Sequence, residues 1–274
     1  MFKKILLIIT TFLFVIQVNA QSNKAFVAGK LIVKTSKMDM KYSTEMMGQQ
    51  IEQSIITSAK TEMVIISATD AEVKIEGKLK KLKTTMETMG QQMEFDSENP
   101  NENEMLKDLN DIVNKTTVIT GDEKGIIKAI KYDDTVEKKI QAQSFNIGGV
   151  SYAIEQPIDF ILLLPIDISI GKTWNQLVGV AESKYDYTYT VKSLDNGIAN
   201  IDLVAKITQD KIGEMQGNKV VTKLAGTMAG KIYVDIKTNF VNSRTTTSAI
   251  KGTVDIKGQS SPVEMTMVTE DFYQ

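Results

Sequence analysis

Apolar residues recur at every second position along most of this chain, and that period limits its fold more than any other feature. Tyr185, Tyr187, Tyr189 and Val191 alternate with Asp186, Thr188, Thr190 and Lys192. Asp195-Asn196-Gly197 follows, a turn in which Asn-Gly accepts positive φ at little cost. Ile198, Ile201, Leu203 and Ala205 then resume, with Asp202, Val204 and Lys206 on the opposite face. This reads as a β-hairpin. The same alternation marks Val73–Leu79, Ile232–Ile236, Val254–Ile256 and Val263–Met267, and Gly121–Gly125 joins a strand pair, Thr116–Thr120 with Ile126–Lys131.

Strand-favouring Thr, Val and Ile are abundant and only 4 prolines are present, as a sheet requires. Helical spacing occurs once with force, over Glu102–Val113, where Met105, Leu106, Leu109, Ile112 and Val113 share a face and Glu102 and Glu104 suit the dipole of a helix start. A weaker helix is expected over Asp133–Gln141. No strand–helix alternation recurs, which argues against a parallel sheet. The expected fold is mainly β with minor α: a large, curved, half-barrel-like antiparallel sheet with one or two packed helices.

The first 20 residues have the order of a secretory signal peptide: Lys3-Lys4, an apolar run from Ile5 to Ile16, then Val18-Asn19-Ala20 as a small-residue cleavage site. The run is shorter than the ~20 residues a membrane-spanning helix needs. The expected mature chain, 21–274, is one β-rich domain. It can be divided into two similar halves, about 25–137 and 151–272, on the match of Met47-Gly48-Gln49-Gln50-Ile51-Glu52 with Met89-Gly90-Gln91-Gln92-Met93-Glu94. The stretch Lys138–Gln156 would connect them. With no cysteine, packing alone must hold the domain, and the thiol needed for lipoprotein acylation is missing. Loss of the leader leaves 30 basic and 34 acidic residues, a net −4 that argues against nucleic-acid binding. The expected location is the periplasm or the exterior, with no membrane insertion after cleavage.

Composition removes most catalytic chemistries. The chain has no histidine, so imidazole acid–base catalysis and metal ligation are excluded, and without cysteine so are thiol nucleophiles and zinc–thiolate sites. No Gly-rich nucleotide cradle is present. The acidic run Glu94, Asp96, Glu98, Glu102, Glu104 lacks calcium-loop order and reads as a solvated segment. Ser248-Ala249-Ile250-Lys251 matches Ser-x-x-Lys, but its Thr-rich surroundings read as strand, which would point Ser and Lys to opposite faces. Trp174, just after Gly171-Lys172-Thr173, reads as a core or edge anchor. The expectation is a non-enzyme with no catalytic residue, cofactor or metal.

Methionine is over-represented, with 14 in the chain. Many fall within strands, among them Met38, Met40 and Met228. Flexible thioethers fit varied apolar ligands, and they also fill ordinary cores. On the ligand reading, Met63, Met86, Met93, Met265 and Met267 face an apolar ligand; on the alternative they are core.

Several elements together resemble an uncharacterised family of exported bacterial proteins known only as a domain of unknown function. They are Met93–Ser97, Thr117–Lys131 around Gly125, Pro165 with Gly171-Lys172-Thr173-Trp174, and Gly230–Asp235. The layout is also similar to the periplasmic lipoprotein carriers, whose half-barrel sheet encloses an apolar cavity. The resemblance implies a non-enzymatic envelope protein that binds a lipid or other hydrophobic molecule in a groove of the sheet. The alternative is a structural or interaction protein with an envelope partner and no small-molecule ligand.

Overall fold

The computed structural model describes residues 26–46, 49–99, 107–134, 154–180, 183–215 and 218–274. The expected β architecture is present, as one antiparallel sheet of 12 strands. The strands are β1 (Leu31–Met46), β2 (Gln49–Ala68), β3 (Glu72–Thr88), β4 (Gln91–Asp96), β5 (Thr116–Asp122), β6 (Ile127–Tyr132), β7 (Thr173–Val180), β8 (Ser183–Asp195), β9 (Ile198–Met215), β10 (Asn218–Asp235), β11 (Val241–Ile256) and β12 (Gln259–Tyr273). Their order is β6-β5-β3-β2-β1-β12-β11-β10-β9-β8-β7, with β4 beside β3. Strands β1–β6 thus form one side and β7–β12 the other, and β1 pairs with β12 where the two sides meet. The sheet runs open from β6 to β7 rather than closing on itself.

Several hairpins turn on two residues ending in glycine. Asn196-Gly197 has φ of 50° and 81°, Met89-Gly90 has 51° and 76°, and Lys257-Gly258 has 57° and 80°. Paired positive φ is the geometry that matches the right-handed twist of the flanking strands. Met89-Gly90 is the β3–β4 turn, and Met46 pairs with Gln49 at the β1–β2 turn, whose two residues lie outside the described set.

Side chains alternate between an outer, exposed face and an inner, buried one. At one end of the sheet the inner face holds the main core, which includes Ile32, Met63, Ile65, Val73, Ile75, Ile119, Ile201 and Val234. A strap of extended chain closes this end. Its Ile158, Phe160, Ile161 and Leu162 are buried against the core. The strap is tied to the β5–β6 turn through Ile158 N–H to Gly125 O (2.8 Å) and to the β10–β11 turn through Leu162 N–H to Asn239 O (3.0 Å). A smaller core of Ala59, Leu79, Leu82, Phe95 and Leu109 lies by β3 and β4.

The curvature has a local cause in glycine. A Cβ on Gly226 or Gly230 of β10 would run into the main-chain oxygen of Ala249 or Thr245 on β11, and one on Gly252 of β11 would strike Lys223 O of β10. These positions point inward, so the two strands fold over the inner face along a crease that only glycine allows.

Two expectations about helices need correction or fall outside the described residues. The 102–113 helix is, where described, a single turn, α1 (Lys107–Asn110). Residues 111–114 form turns, Asn114 takes φ of 61°, and its N–H bonds Leu79 O at 2.7 Å. Burial of Leu109, with Ile112 and Val113 packed beside it, against β3 and β4 overrides the helical period here. The expected helix at 133–141 and most of the 138–156 connection lie outside the described residues.

Candidate functional site

Beyond the strap the inner face continues toward the opposite end of the sheet, and register fixes which side chains line it. One row runs Met93, Met86, Ile55, Met40, Met267, Ser248, Met228, Ala205 across β4, β3, β2, β1, β12, β11, β10 and β9. The next row out includes Tyr42, Met265, Ile250, Gly226 and Ile207. Ile55, Ile250, Ala205 and Ile207 are buried, while Met40, Met86, Met228, Met265 and Met267 are half-buried. This is an apolar strip built largely from thioethers.

The five methionines expected at a ligand surface therefore divide. Met86, Met265 and Met267 lie on the strip, and Met93, directly opposite Met86, also packs on the smaller core. Met63 has no exposed surface and belongs to the strap-covered core. Met40 and Met228 complete the row. Their strand-like spacing was visible in the sequence, but the register that aligns them was not.

The β7–β8 wall carries a ladder of aromatic rings. Trp174 stacks on Tyr189 at 5.1 Å between centroids, Tyr189 on Tyr187 at 5.8 Å and Tyr187 on Tyr185 at 5.9 Å. Burial pushes all three phenols above their ordinary pKa, so they stay neutral over the physiological range. Trp174 is the anchor expected from the sequence, on the last strand of the sheet order.

Where the strip meets the strap, charged groups gather. Lys34 Nζ sits 2.7 Å from Asp159 Oδ2, on the strap, and 3.4 Å from Asp271 Oδ1. Ser36 Oγ donates to Asp271 Oδ1 at 2.6 Å, and Tyr273 OH to Asp159 Oδ2 at 3.3 Å. Arg244 donates through Nη2 to the main-chain oxygen of Asp159 at 2.9 Å. Burial works against its charge, but Tyr273, Asp271, Asp159 and Tyr189 outweigh that and raise its pKa further. Burial also raises the Tyr273 phenol, aided by Asp159. Asp159 Oδ1, Arg244 Nε and Ser248 Oγ are buried without a hydrogen-bond partner.

Elsewhere the acidic run behaves as a solvated segment where it is described. Glu94 pairs with Lys83 at 2.7 Å and Glu98 with Lys81 at 2.6 Å, both at the surface. Ser248 and Lys251 lie on one strand, with Ser248 inward and Lys251 outward beside Glu264. Among the described residues no group of three or more carboxylates is placed to hold a metal ion, and no helix is long and apolar enough to cross a membrane. Two surface clefts, of about 730 and 560 Å³, lie at the end of the sheet away from the strap. The larger is lined by Tyr42, Ile250 and Met265 together with Lys41, Glu52, Lys251 and Glu264. Lys219, Lys223, Asp255 and Lys257 line the smaller.

Residues 160–241, from the strap to the first residue of β11, match DUF6263, a family described only as of unknown function. Pro165, Gly171–Trp174 and Gly230–Asp235, which carry part of the sequence resemblance to an uncharacterised family, fall inside that stretch. No curated protein matches the chain. Among solved structures, the chain is similar to one titled "Lipid-protein interactions in lipovitellin", with a TM-score of 0.54 and 13% identity. The match covers 91% of this chain and 26% of that one, so this chain spans about a quarter of its length. At that identity the likeness concerns the fold.

Proposed function

We propose that this protein is an exported, non-enzymatic envelope protein that binds a lipid or similar hydrophobic ligand along the inner face of its sheet. One observation carries the reading: the inner face continues past the strap as a strip of half-buried methionines, one of which, Met265, reaches a cleft of about 730 Å³. A strip of flexible thioethers leading to such an opening suits an acyl chain. The fold likeness to a protein studied for its interactions with lipid points the same way, and the leader sequence supports export.

A second reading, as an interaction protein of the envelope, is favoured by the outer face, where Ile56, Val204, Val268 and Phe272 are exposed. The test is to express the full chain in a bacterium, purify it from the periplasm, and examine it by native mass spectrometry with solvent extraction. A discrete extractable adduct supports the lipid reading. A bare protein mass that stays bare after incubation with lipids favours the second.

A further inference from the structure

The open sheet leaves three strands with a free side: β4, β6 and β7. A bare strand edge invites pairing with another chain, and proteins blunt such edges with charge, proline, a bulge or a covering segment. β6 has both charge and cover. It contains Lys128 and Lys131, its Ile127 N–H bonds Gln156 O at 2.8 Å, and Ile127 O accepts from Glu155 N–H at 2.7 Å. β4 is 6 residues long and carries Glu94 and Asp96. β7 has none of these devices. Its 8 residues, Thr173–Val180, include no charge and no proline, and they pair with β8 throughout without a bulge. Among the described residues no main chain bonds the other side of β7.

Geometry shows what fits this edge. Val191 N–H bonds Lys172 O at 2.9 Å, and bonding alternates from residue to residue along an antiparallel pair. Thr173, Asn175, Leu177 and Gly179 therefore turn their N–H and C=O groups to the open side. These four lie on the outer face, where Leu177 is 72% exposed, while Trp174, Gln176 and Val178 lie on the inner face. The pattern is symmetric about Gln176. With a two-fold axis at that residue, Asn175 of one copy pairs with Leu177 of the other, Trp174 with Val178, and Thr173 with Gly179. Every pair joins residues of the same face, as an antiparallel ladder demands. No like charges meet across the axis, because the strand has no charge.

We infer that β7 is a self-association edge, through which two copies of this chain pair β7 to β7, antiparallel, about Gln176. The inference rests on the strand edge alone and holds with or without a lipid ligand. Pairing satisfies the outward main-chain groups and covers part of Leu177 and Trp174. It also sets both inner faces on one side, so the ladder of Trp174, Tyr189, Tyr187 and Tyr185 meets its equivalent in the other copy. One strand pair makes a small interface, so the dimer is weak and reversible.

The test is sedimentation velocity of the protein purified from the periplasm, with its concentration raised from about 1 to about 200 µM to span the dissociation constants of weak complexes. The average mass is expected to rise toward twice that of one chain. Leu177→Lys, at an exposed position, should keep the fold by circular dichroism and raise the dissociation constant at least about tenfold, since two ammonium groups then crowd the axis. The chain has no cysteine, so a single introduced one reports the register. Gln176→Cys should cross-link to its copy under mild oxidation, because the two residues face each other on the axis. Thr173→Cys should not, its two copies lying roughly 20 Å apart at ~3.4 Å per residue. A protein that stays monomeric at the highest concentration overturns the inference. A dimer that folded Leu177→Lys leaves equally stable places the interface elsewhere and also overturns it, as does cross-linking at position 173 rather than 176.

Discussion

Lys34 and Asp159 stand 125 residues apart in sequence and 2.7 Å apart in space. One is in the first strand, the other at the middle of the strap. Lys34 also reaches Asp271 on β12, so one ammonium group joins the strap to both strands at the centre of the sheet.

Lys34→Met removes the ammonium that contacts both carboxylates and leaves Arg244 alone to offset them. The expected loss of stability is about 3 kcal/mol, in the range for breaking a buried ion pair from one side. Urea unfolding of the variant measures it. Adding Asp159→Asn to Lys34→Met should recover part of the loss, and a double variant no more stable than the single one would show that the pairing matters little.

Phe160 anchors the strap with a fully buried ring, 5.9 Å from that of Phe240 and 6.1 Å from that of Phe26. Phe160→Ala should cost about 3–5 kcal/mol, the usual range for removing a buried aromatic side chain. A thermal melt close to that of the unaltered protein would mean that the strap contributes little to the fold.

The crease predicts opposite outcomes for two strand glycines. Gly230→Val puts a side chain into the β11 main chain at Thr245 and should destabilise by at least ~1–3 kcal/mol, as overpacking does. At Gly179 of β7 a Cβ would meet nothing within 4 Å, so Gly179→Ala should be neutral or gain ~0.5–1 kcal/mol. Paired chemical denaturation curves decide this, and similar behaviour of the two variants would remove the crease as the source of curvature.

The buried phenols give the protein an alkaline limit. Burial raises the pKa of Tyr187, Tyr189 and Tyr273, so the folded chain holds these protons more tightly than the unfolded one. Their contribution is whole below the ordinary tyrosine value of 10.0 and is lost as pH rises through the higher folded values. Stability should therefore fall above pH ~10, with part of the phenolate absorbance appearing together with unfolding. All the phenolate appearing in a still-folded protein would contradict the burial of these rings.

On the inner strip, Met267→Glu places a charge where an apolar ligand would lie, yet the position is half-buried and should tolerate it. Ligand uptake should drop by at least about tenfold, or ~1.4 kcal/mol, with the fold retained by circular dichroism. Undiminished uptake would move the ligand off this strip.

Sequence period was enough to find the strands, because alternation is written locally in each of them. The hairpin at Asn196-Gly197 was legible for the same reason: turn chemistry acts over two residues. Curvature was not, since the meaning of Gly226 and Gly230 depends on which strand lies beside them. Met63 and Met267 share a residue type and a strand-like setting, and only the placement of the strap makes one core and the other groove. The 102–113 stretch shows the reverse error, in which a helical pattern of apolar residues serves packing on β3 and β4, with only Lys107–Asn110 helical among the described residues. Arg244 left a readable trace, as one guanidinium among 31 lysines, but the trace gave no location.

The pairing of β1 with β12 sets the order in which the protein can be finished. Ser36 and Asp271, which meet across this pair, are 235 residues apart. Hairpins on either side can form as soon as their own residues are available, whereas the central seam must wait for both. Closing so long a loop carries a large entropic cost before any contact repays it, the hallmark of slow, high-contact-order folding. Until then β1 and β12 are both bare edges, each able to pair with the wrong strand or with another chain. The centre of the sheet, its best-protected part once folded, is thus its most vulnerable part during assembly.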